Sequence, residues 1–334
     1  MLHQYIEREN RKVCTERLYG NDAIKYLYSG LRECSPSLFR VLTSARVSRL
    51  LGFMNYELFL GKKMFGHMDF LRSSGMDIAE CLHDPEHLDT LKKIFERKIR
   101  YWECRPMPDD PDVIVSPADS KMLVGSFCES SHLYIKGKFF DYEEMLWTDK
   151  KTWLRAFRGG DFAVFRLTPD KYHYNHTPVA GKIIDFYQIP GGYHSCNPHA
   201  VLSIVTPYSK NRRVVTIIDT DVDGGTKVGL VAMIEIVAMM IGDILQCYSV
   251  EGYENPVPIG TGMSIKKGFP KSLYRPGSST DVLVFQQGRM RFADDIVTNM
   301  FHQGAESIFC KGFEMPLVET EVKVRSMIGR VLNR

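Results

Sequence analysis

Three short stretches of the sequence carry residues suited to acid–base and nucleophilic chemistry. They are VSPADS (115–120), LTPDKYHYNHTPVAG (167–181) and RPGSSTDVLVF (275–285). Together they supply Asp119, His173, His176 and Ser278. A carboxylate can orient an imidazole, which then removes the proton of a serine hydroxyl and makes it nucleophilic. Each stretch is weak alone, because a turn aspartate usually bonds its own backbone and a single histidine is more often structural.

The residue before Ser278 indicates what such a serine could attack. Gly277 allows a close and strained backbone approach, so the Ser278 hydroxyl could attack the preceding carbonyl and cleave the chain itself. Ser279, the next residue, is a rival nucleophile. We take Ser278 as the nucleophile, because only this serine follows a glycine.

Composition sets limits on the class of protein. The 334 residues are 44% hydrophobic and 25% charged, as in a soluble globular protein. The net charge of +3 does not indicate a nucleic-acid partner. The eight cysteines form no CxxC pair, which fits reduced thiols. Because the N-terminus has no apolar signal core, we expect the protein on the cytoplasmic side.

The pattern of the elements predicts an α+β protein, a helical N-terminal region on a β-sandwich-like catalytic core. Residues 1–105 have few prolines and apolar residues at helical spacing, whereas residues 106–334 hold short β-prone runs between Gly, Pro, Asn and Asp turns. Arginines alternate with apolar residues over 39–54. This pattern suits a helix on an anionic membrane surface, or a helix packed on the protein with solvated arginines.

Two other stretches allow alternative interpretations. The apolar run 227–246 is nearly long enough to span a bilayer, but Glu235 lies near its middle and favours buried strands. His194, Cys196 and His199 are residue types that bind zinc, but no partner pair accompanies them. We therefore predict a pocket-lining role for this cluster and no metal.

The three stretches, in this order and at these separations, resemble the phosphatidylserine decarboxylases, pyruvoyl-dependent enzymes that make phosphatidylethanolamine. Other stretches are similar to further elements of that family. They are YIKGKFFDYEEML (134–146), YQIPGGYHSCNP (187–198) and RRVVTIIDTDVDGGTKVGLVAMIEIVAMMIG (212–242). The resemblance extends from about residue 38 to residue 285.

The resemblance implies that the chain cuts itself between Gly277 and Ser278. A long β chain would end at Gly277, and a short α chain would begin with a pyruvoyl group made from Ser278. The general base of this processing would be His176, and Asp119 would orient it. His173 would position or protonate the carbon from which carbon dioxide leaves.

The resemblance also implies cofactor and partners. The cofactor would be the covalent pyruvoyl group derived from Ser278, with no pyridoxal phosphate and no metal. The substrate would be phosphatidylserine or a related serine or amine compound, reached by peripheral association with an anionic membrane surface. The α and β chains of one precursor would stay together, no nucleic acid would be bound, and a homo-oligomer is left open.

Departures from the family pattern leave two alternative functions. The family usually has A-D-G where this chain has Ser120 after Asp119, and Pro276 precedes the Gly-Ser pair. One alternative is therefore a noncatalytic relative that binds lipid or a partner. The other is a decarboxylase of a free amino acid, because the pyruvoyl chemistry acts only on an amine and a carboxylate.

Overall fold

The computed structural model describes most of the chain outside the N-terminal sixty residues. The described residues are 2–18, 34, 35, 37, 60–64, 67–73, 75–135, 139–203, 206–238, 243–275 and 279–332. The amphipathic stretch 39–54 lies outside them. Pro276, Gly277 and Ser278 also lie outside them.

Strands outnumber helices in the described residues. The strands are β1 (Gln4–Glu7), β2 (Lys12–Thr15), β3 (Val113–Val115), β4 (Ser120–Ser126), β5 (Asp161–Leu167), β6 (Tyr174–His176), β7 (Gly181–Ile189), β8 (Arg213–Asp219), β9 (Leu230–Val237), β10 (Ile244–Gln246), β11 (Ser264–Ile265), β12 (Pro270–Tyr274), β13 (Ser279–Phe285), β14 (Met290–Phe292), β15 (Glu319–Val322) and β16 (Met327–Val331). The helices are α1 (His67–Ser73), α2 (Leu91–Phe95), α3 (Tyr101–Cys104), α4 (Tyr142–Leu146), α5 (Lys151–Ala156), α6 (Pro198–Ser203), α7 (Pro207–Lys210), α8 (Asp294–Met300) and α9 (Ile308–Phe313). The predicted α+β class is confirmed.

A large sheet forms the centre of the fold. Its strand order is β11-β7-β8-β9-β13-β5-β4-β15-β1-β2, antiparallel except for the β1–β15 pair. The strand β13 follows the predicted processing site directly and pairs along its whole length with β5 and β9. Every residue of β13 is buried, and burial on both faces suits the continuous apolar run in its second half, residues 282–285.

A second, three-stranded sheet of order β10-β12-β6 packs on one face of the large sheet. All three of its strands contact Glu235 in the middle of β9. Lys271 of β12 lies 2.6 Å from the carboxylate, Gln246 of β10 lies at 3.1 Å and Asn175 of β6 at 3.2 Å. The predicted strands within 227–246 are confirmed, and the carboxylate that argued against a membrane span holds two sheets together.

The expectation that the chain is helical from its first residues is wrong for residues 4–15. This segment forms the β1–β2 hairpin and joins the edge of the large sheet through β15. A buried ionic cluster fixes it there. Arg166 of β5 bonds Glu319 at 2.6 Å and Glu16 at 2.5 Å, and His3 lies 2.9 Å from Glu319. The ionic contacts thus outweigh the helical propensity of the charged N-terminal residues.

Within the described part of the chain, we find no helix that is long and apolar enough to cross a membrane.

The Arg166 cluster predicts acid-sensitive stability. Burial opposes ionisation, but the Arg166 guanidinium lowers the pKa of Glu319 from 4.5 to about 2 and lowers the pKa of Glu16 in the same direction. Their stabilising contribution is therefore present above pH 4.5 and is lost as the pH falls towards 2. We expect the free energy of unfolding to drop by on the order of 3 kcal/mol in this interval for a single such group. Thermal melts across this range measure it.

The matched variants for this prediction are Arg166→Met and Arg155→Met. Removal of Arg166 leaves two buried carboxylates without their main partner, so stability at neutral pH should fall by about 3–5 kcal/mol. In Arg166→Met, the free energy of unfolding should also lose most of its dependence on acidic pH. Arg155 is exposed, so Arg155→Met should change neither the stability at neutral pH nor its acid dependence. An unaltered acid profile in Arg166→Met would contradict the assignment.

Candidate active site

The backbone brings the three predicted stretches to one place. The histidine strand β6 pairs antiparallel with β12, which ends at Tyr274, three positions before Gly277. The Tyr274 amide donates a hydrogen bond of 3.1 Å to the His173 carbonyl, and the His176 amide donates one of 2.7 Å to the Pro117 carbonyl. The turn before Asp119, the histidines and the entrance to the processing segment are therefore neighbours.

The His176 side chain is completely buried and its tautomer is fixed. A carbonyl oxygen only accepts hydrogen bonds, so the 3.0 Å contact with the Gly268 carbonyl places the proton on Nδ1. Nε2 then carries the lone pair and lies 2.9 Å from the Tyr172 hydroxyl, which in turn contacts the Tyr253 hydroxyl at 2.7 Å. Burial lowers the pKa of His176 to about 3. The ring is therefore neutral, and its Nε2 lone pair faces the Tyr172 hydroxyl.

The His173 ring lies under an aromatic cover. Its plane stacks on Phe95 of α2 with the ring centroids 3.5 Å apart. Neither ring nitrogen has a hydrogen-bond partner among the described residues. Burial, assisted by the positive charge of Arg97, lowers the pKa of His173 to about 3. The structure thus holds a neutral imidazole with two unused polar atoms beside the processing segment.

Asp119 has different partners from those that the resemblance implied. Burial alone would raise the pKa of its carboxyl group, but Arg105 lowers it below the ordinary value. Arg105 contacts Asp119 at 2.7 Å and Glu80 at 2.6 Å, and the Val324 amide donates to Asp119 at 2.7 Å. No hydrogen bond joins Asp119 to His176 in the described residues. The expectation that Asp119 orients His176 directly is therefore wrong in this structure, in which Gly268 and Tyr172 orient the ring.

Ser120 causes no strain where the family usually has glycine. It is the first residue of β4, pairs with Val322 of β15, and is not among the described residues with positive φ. The freedom of glycine is therefore not required at this position. One of the departures that favoured a noncatalytic relative thus has no structural consequence here.

The described chain resumes at Ser279, directly after the predicted processing pair. Ser279 is buried at the beginning of β13, opposite Leu167 of β5 and Val237 of β9. Its hydroxyl has no hydrogen-bond partner among the described residues. Ser279, the rival nucleophile, is thus a buried serine whose hydroxyl bonds no described residue. Ser278 and Ser279 are both still candidates for the nucleophile.

Four residues that complete the site were missed by the sequence interpretation. The Tyr172 hydroxyl contacts His176, and the Tyr253 hydroxyl contacts Tyr172. Phe95 covers His173, and Arg105 binds Asp119. Tyr172 directly precedes His173 in the quoted motif, and this adjacency is the only local signal. The other three come from distant parts of the chain, so no spacing pattern could have found them.

The cluster of His194, Cys196 and His199 does not resemble a zinc site. Among the described residues, these three side chains do not form a group whose ligand atoms lie close enough together to hold a metal. Elsewhere in the described residues, the ligand atoms of His3, Glu16 and Glu319 lie close enough together for a metal. The cations Arg166 and Lys121 already contact those carboxylates, so a further cation would be repelled.

Residues 91–309 match a family model described as phosphatidylserine decarboxylase. The matched range is well over half of the chain and includes all three stretches. The chain belongs to the phosphatidylserine decarboxylase family.

Individual phosphatidylserine decarboxylase proenzymes are also similar to it. The one from Fusobacterium nucleatum is 29% identical over 299 residues, which are 89% of this chain and 91% of that protein. The one from Ruminiclostridium cellulolyticum is 27% identical over 296 residues, 88% of this chain and 91% of the relative. The one from Alkalilimnicola ehrlichii is 31% identical over 225 residues, which are 66% of this chain and 76% of that protein. The resemblance inferred from the motifs is confirmed.

The aromatic cover over His173 makes a prediction about reactivity. Phe95→Ala should open the face of the ring, so that diethyl pyrocarbonate modifies His173 at least tenfold faster, while His176 remains protected by Tyr172 and Tyr101. Peptide mass spectrometry measures both rates. We also expect a loss of stability of about 3–5 kcal/mol, as for other buried phenylalanines.

The control is Lys93→Ala on the same helix, whose exposed side chain contacts Asp89 and not the histidines. It should leave both modification rates unchanged. If His173 in Phe95→Ala were as protected as in the unmodified protein, Phe95 would not be its cover.

Proposed function

We propose that the protein is an autoprocessing, pyruvoyl-dependent decarboxylase that converts phosphatidylserine to phosphatidylethanolamine and carbon dioxide. One observation supports this function above the others. Strand β6, which holds His176 and directly follows His173, is paired with β12, and β12 leads directly into the predicted processing segment. Both histidines are buried and neutral. Membership of the phosphatidylserine decarboxylase family supports the same reaction.

In the proposed processing, the chain supplies every reacting group. Ser278 Oγ attacks the Gly277 carbonyl carbon while His176 Nε2 takes the hydroxyl proton, and the C–N bond breaks to give an ester and a free amine. Loss of the Ser278 Cα proton then breaks the Cβ–O bond and releases a chain that ends in the Gly277 carboxylate. Addition of water and loss of ammonia convert the remaining dehydroalanine to the pyruvoyl group.

The described residues beside the junction fit this group. Ser279 Oγ and both nitrogens of His173 are buried without partners there, as expected of a chamber whose polar contacts are made by another group. Once formed, the pyruvoyl group supplies an electron sink for the loss of carbon dioxide. His173 is the residue that we propose to hold and return the proton at the carbon that loses carbon dioxide. Its burial excludes water from that step.

We further propose that the protein associates peripherally with an anionic membrane surface on the cytoplasmic side. A lipid substrate requires access to a bilayer, and the arginine-rich amphipathic sequence of residues 39–54 has the pattern of an interfacial helix. The two chains of the processed precursor stay together in this proposal, because β13 is a fully paired strand inside the large sheet.

Separate roles for the two histidines can be tested with single variants. His176→Ala should slow self-cleavage by about 10²–10⁴-fold, the usual contribution of a general base. His173→Ala should cleave normally but lose decarboxylation by a similar factor. Denaturing electrophoresis follows the appearance of a fragment of about 6 kDa, since residues 278–334 are about one sixth of a 38.3 kDa chain.

His132→Ala is the matched control, because this histidine is exposed and lies outside the three stretches. It should cleave and turn over like the unmodified protein. Normal cleavage of His176→Ala would show that another group is the base.

The substrate is tested by competition between lipid and soluble amines. We expect the purified, processed protein to release labelled carbon dioxide from phosphatidylserine in mixed micelles and to leave free serine and free tryptophan unchanged. A vesicle without phosphatidylserine is the blank. Release from a free amino acid alone would overturn the lipid assignment and favour the amino-acid decarboxylase.

A further inference from the structure

Two buried side chains connect the strands on either side of the processing segment. Tyr274 is the last residue of β12, and Asp281 is the third residue of β13. The Tyr274 hydroxyl lies 2.7 Å from Asp281 Oδ1 and 3.0 Å from the Thr280 carbonyl oxygen. It also accepts a hydrogen bond of 3.1 Å from the Ile236 amide in the neighbouring strand β9. A direct contact between the Tyr274 and Asp281 side chains thus connects the end of β12 with the beginning of β13.

All the contacts of the Tyr274 hydroxyl can be hydrogen bonds at once when Asp281 is protonated. The Tyr274 hydroxyl has a single proton, and the Thr280 carbonyl can only accept it. If that proton goes to Thr280, the short contact with Asp281 requires a second proton, which the carboxylic acid supplies. In this arrangement Tyr274 accepts from Ile236 and Asp281 and donates to Thr280, so its bonding capacity is complete.

The surrounding charges favour the same protonation state. Asp281 lies directly opposite Glu235 in the β9–β13 pair, and both are completely buried. Lys271 contacts Glu235 at 2.6 Å and so neutralises that carboxylate. Burial first, and the negative charge of Glu235 second, raise the pKa of Asp281 far above its ordinary value, more than Lys271 lowers it. From β5, the facing residue is the apolar Phe165.

We propose that Tyr274 and Asp281 form a clasp that positions the new N-terminus of the α chain after self-cleavage. This inference rests on the proposed function, because cleavage leaves Tyr274 in the β chain and Asp281 in the α chain. Before the cut, the peptide chain itself limits the separation of the two strands. After the cut, the contact between the Tyr274 hydroxyl and Asp281 still joins the end of β12 to the first residues of β13.

The clasp lies close to the place where a reactive group would be held. Ser279 and Asp281 are two positions apart, so their side chains lie on the same face of β13. Ser279 Oγ and Asp281 Oδ2 both lack a hydrogen-bond partner among the described residues. Without the clasp, the pairing of β13 with β5 and β9 would still hold the α chain, but the hydroxyl contact of its first residues with the end of β12, beside His173, would be lost. Tyr274 and Asp281 are therefore positioning residues, and their loss should reduce turnover more than substrate binding.

The test uses Tyr274→Phe and Asp281→Asn in the full-length protein. Tyr274→Phe should still cleave, because both strands remain paired, but kcat should fall at least tenfold while KM changes less than threefold. Asparagine donates to Tyr274 as the protonated acid does and cannot ionise. Asp281→Asn should therefore keep the contact with Tyr274 at alkaline pH as well as at neutral pH.

The pH profile separates the clasp from a merely structural role. The proton on Asp281 is retained below its raised pKa and lost as the pH rises through it, which would place two carboxylates side by side with Lys271 as their shared cation. Decarboxylation by the unmodified protein should therefore decline at alkaline pH, and Asp281→Asn should be at least tenfold more active there. Tyr187→Phe, whose hydroxyl bonds the Leu146 carbonyl in another part of the large sheet, is the control and should behave as the unmodified protein.

Each outcome decides the proposal. A Tyr274→Phe protein with unchanged kcat, one that folds but does not cleave, or an Asp281→Asn protein with the same alkaline decline as the unmodified chain would overturn the clasp. If Tyr274→Phe lacks the normal melting transition, this variant is misfolded, and the pH profile of decarboxylation by Asp281→Asn alone decides whether the clasp exists. A failure of the unmodified chain to cleave would instead contradict the proposed function.

Discussion

The buried carboxylate of Glu235 is the interaction on which the arrangement of the site depends. It lies in the middle of the large sheet and receives Lys271, Gln246 and Asn175 from the three strands of the small sheet. Burial would raise the pKa of this carboxyl group, but the Lys271 ammonium lowers it, so the charge is retained. Loss of one partner from such a pair typically destabilises by about 3–5 kcal/mol. The position of the histidine strand is therefore strongly fixed.

The consequence for chemistry is a pair of uncharged imidazoles beside the processing segment. Both histidines are removed from water, His176 by Tyr172 and Tyr101 and His173 by Phe95. Burial keeps both rings neutral, and a base must be neutral to accept a proton. Both nitrogens of His173 and the Ser279 hydroxyl are buried, and no hydrogen bond joins them to the part of the chain that the structure describes.

The sequence predicted the parts of this arrangement that are local. The α+β class and the buried strands within 227–246 follow from the turn residues and from the position of Glu235, and the structure has them. The interpretation of residues 4–15 as helix failed, because Arg166, which lies 150 positions beyond Glu16, decides their conformation.

Partners in the site could not be predicted for the same reason. The turn with Asp119 and the strand with His176 are adjacent, as the resemblance implied, yet Arg105 takes the carboxylate. Residue types and order along the chain identified the family, whereas side-chain pairing depends on which distant residues the fold brings together. Asp281 shows this limit most clearly, since an acid within an apolar strand has a role only once Tyr274 and Glu235 are known to face it.

The intact mass of the freshly purified, folded protein tests the central claim most directly. Self-processing predicts two chains. The smaller one should be lighter by about 17 Da than the same peptide beginning with serine, because conversion of the serine to a pyruvoyl group is a net loss of one ammonia molecule. The start of that chain also distinguishes Ser278 from Ser279 as the modified residue. A single unbroken chain of 38.3 kDa, with both serines intact, would contradict the account.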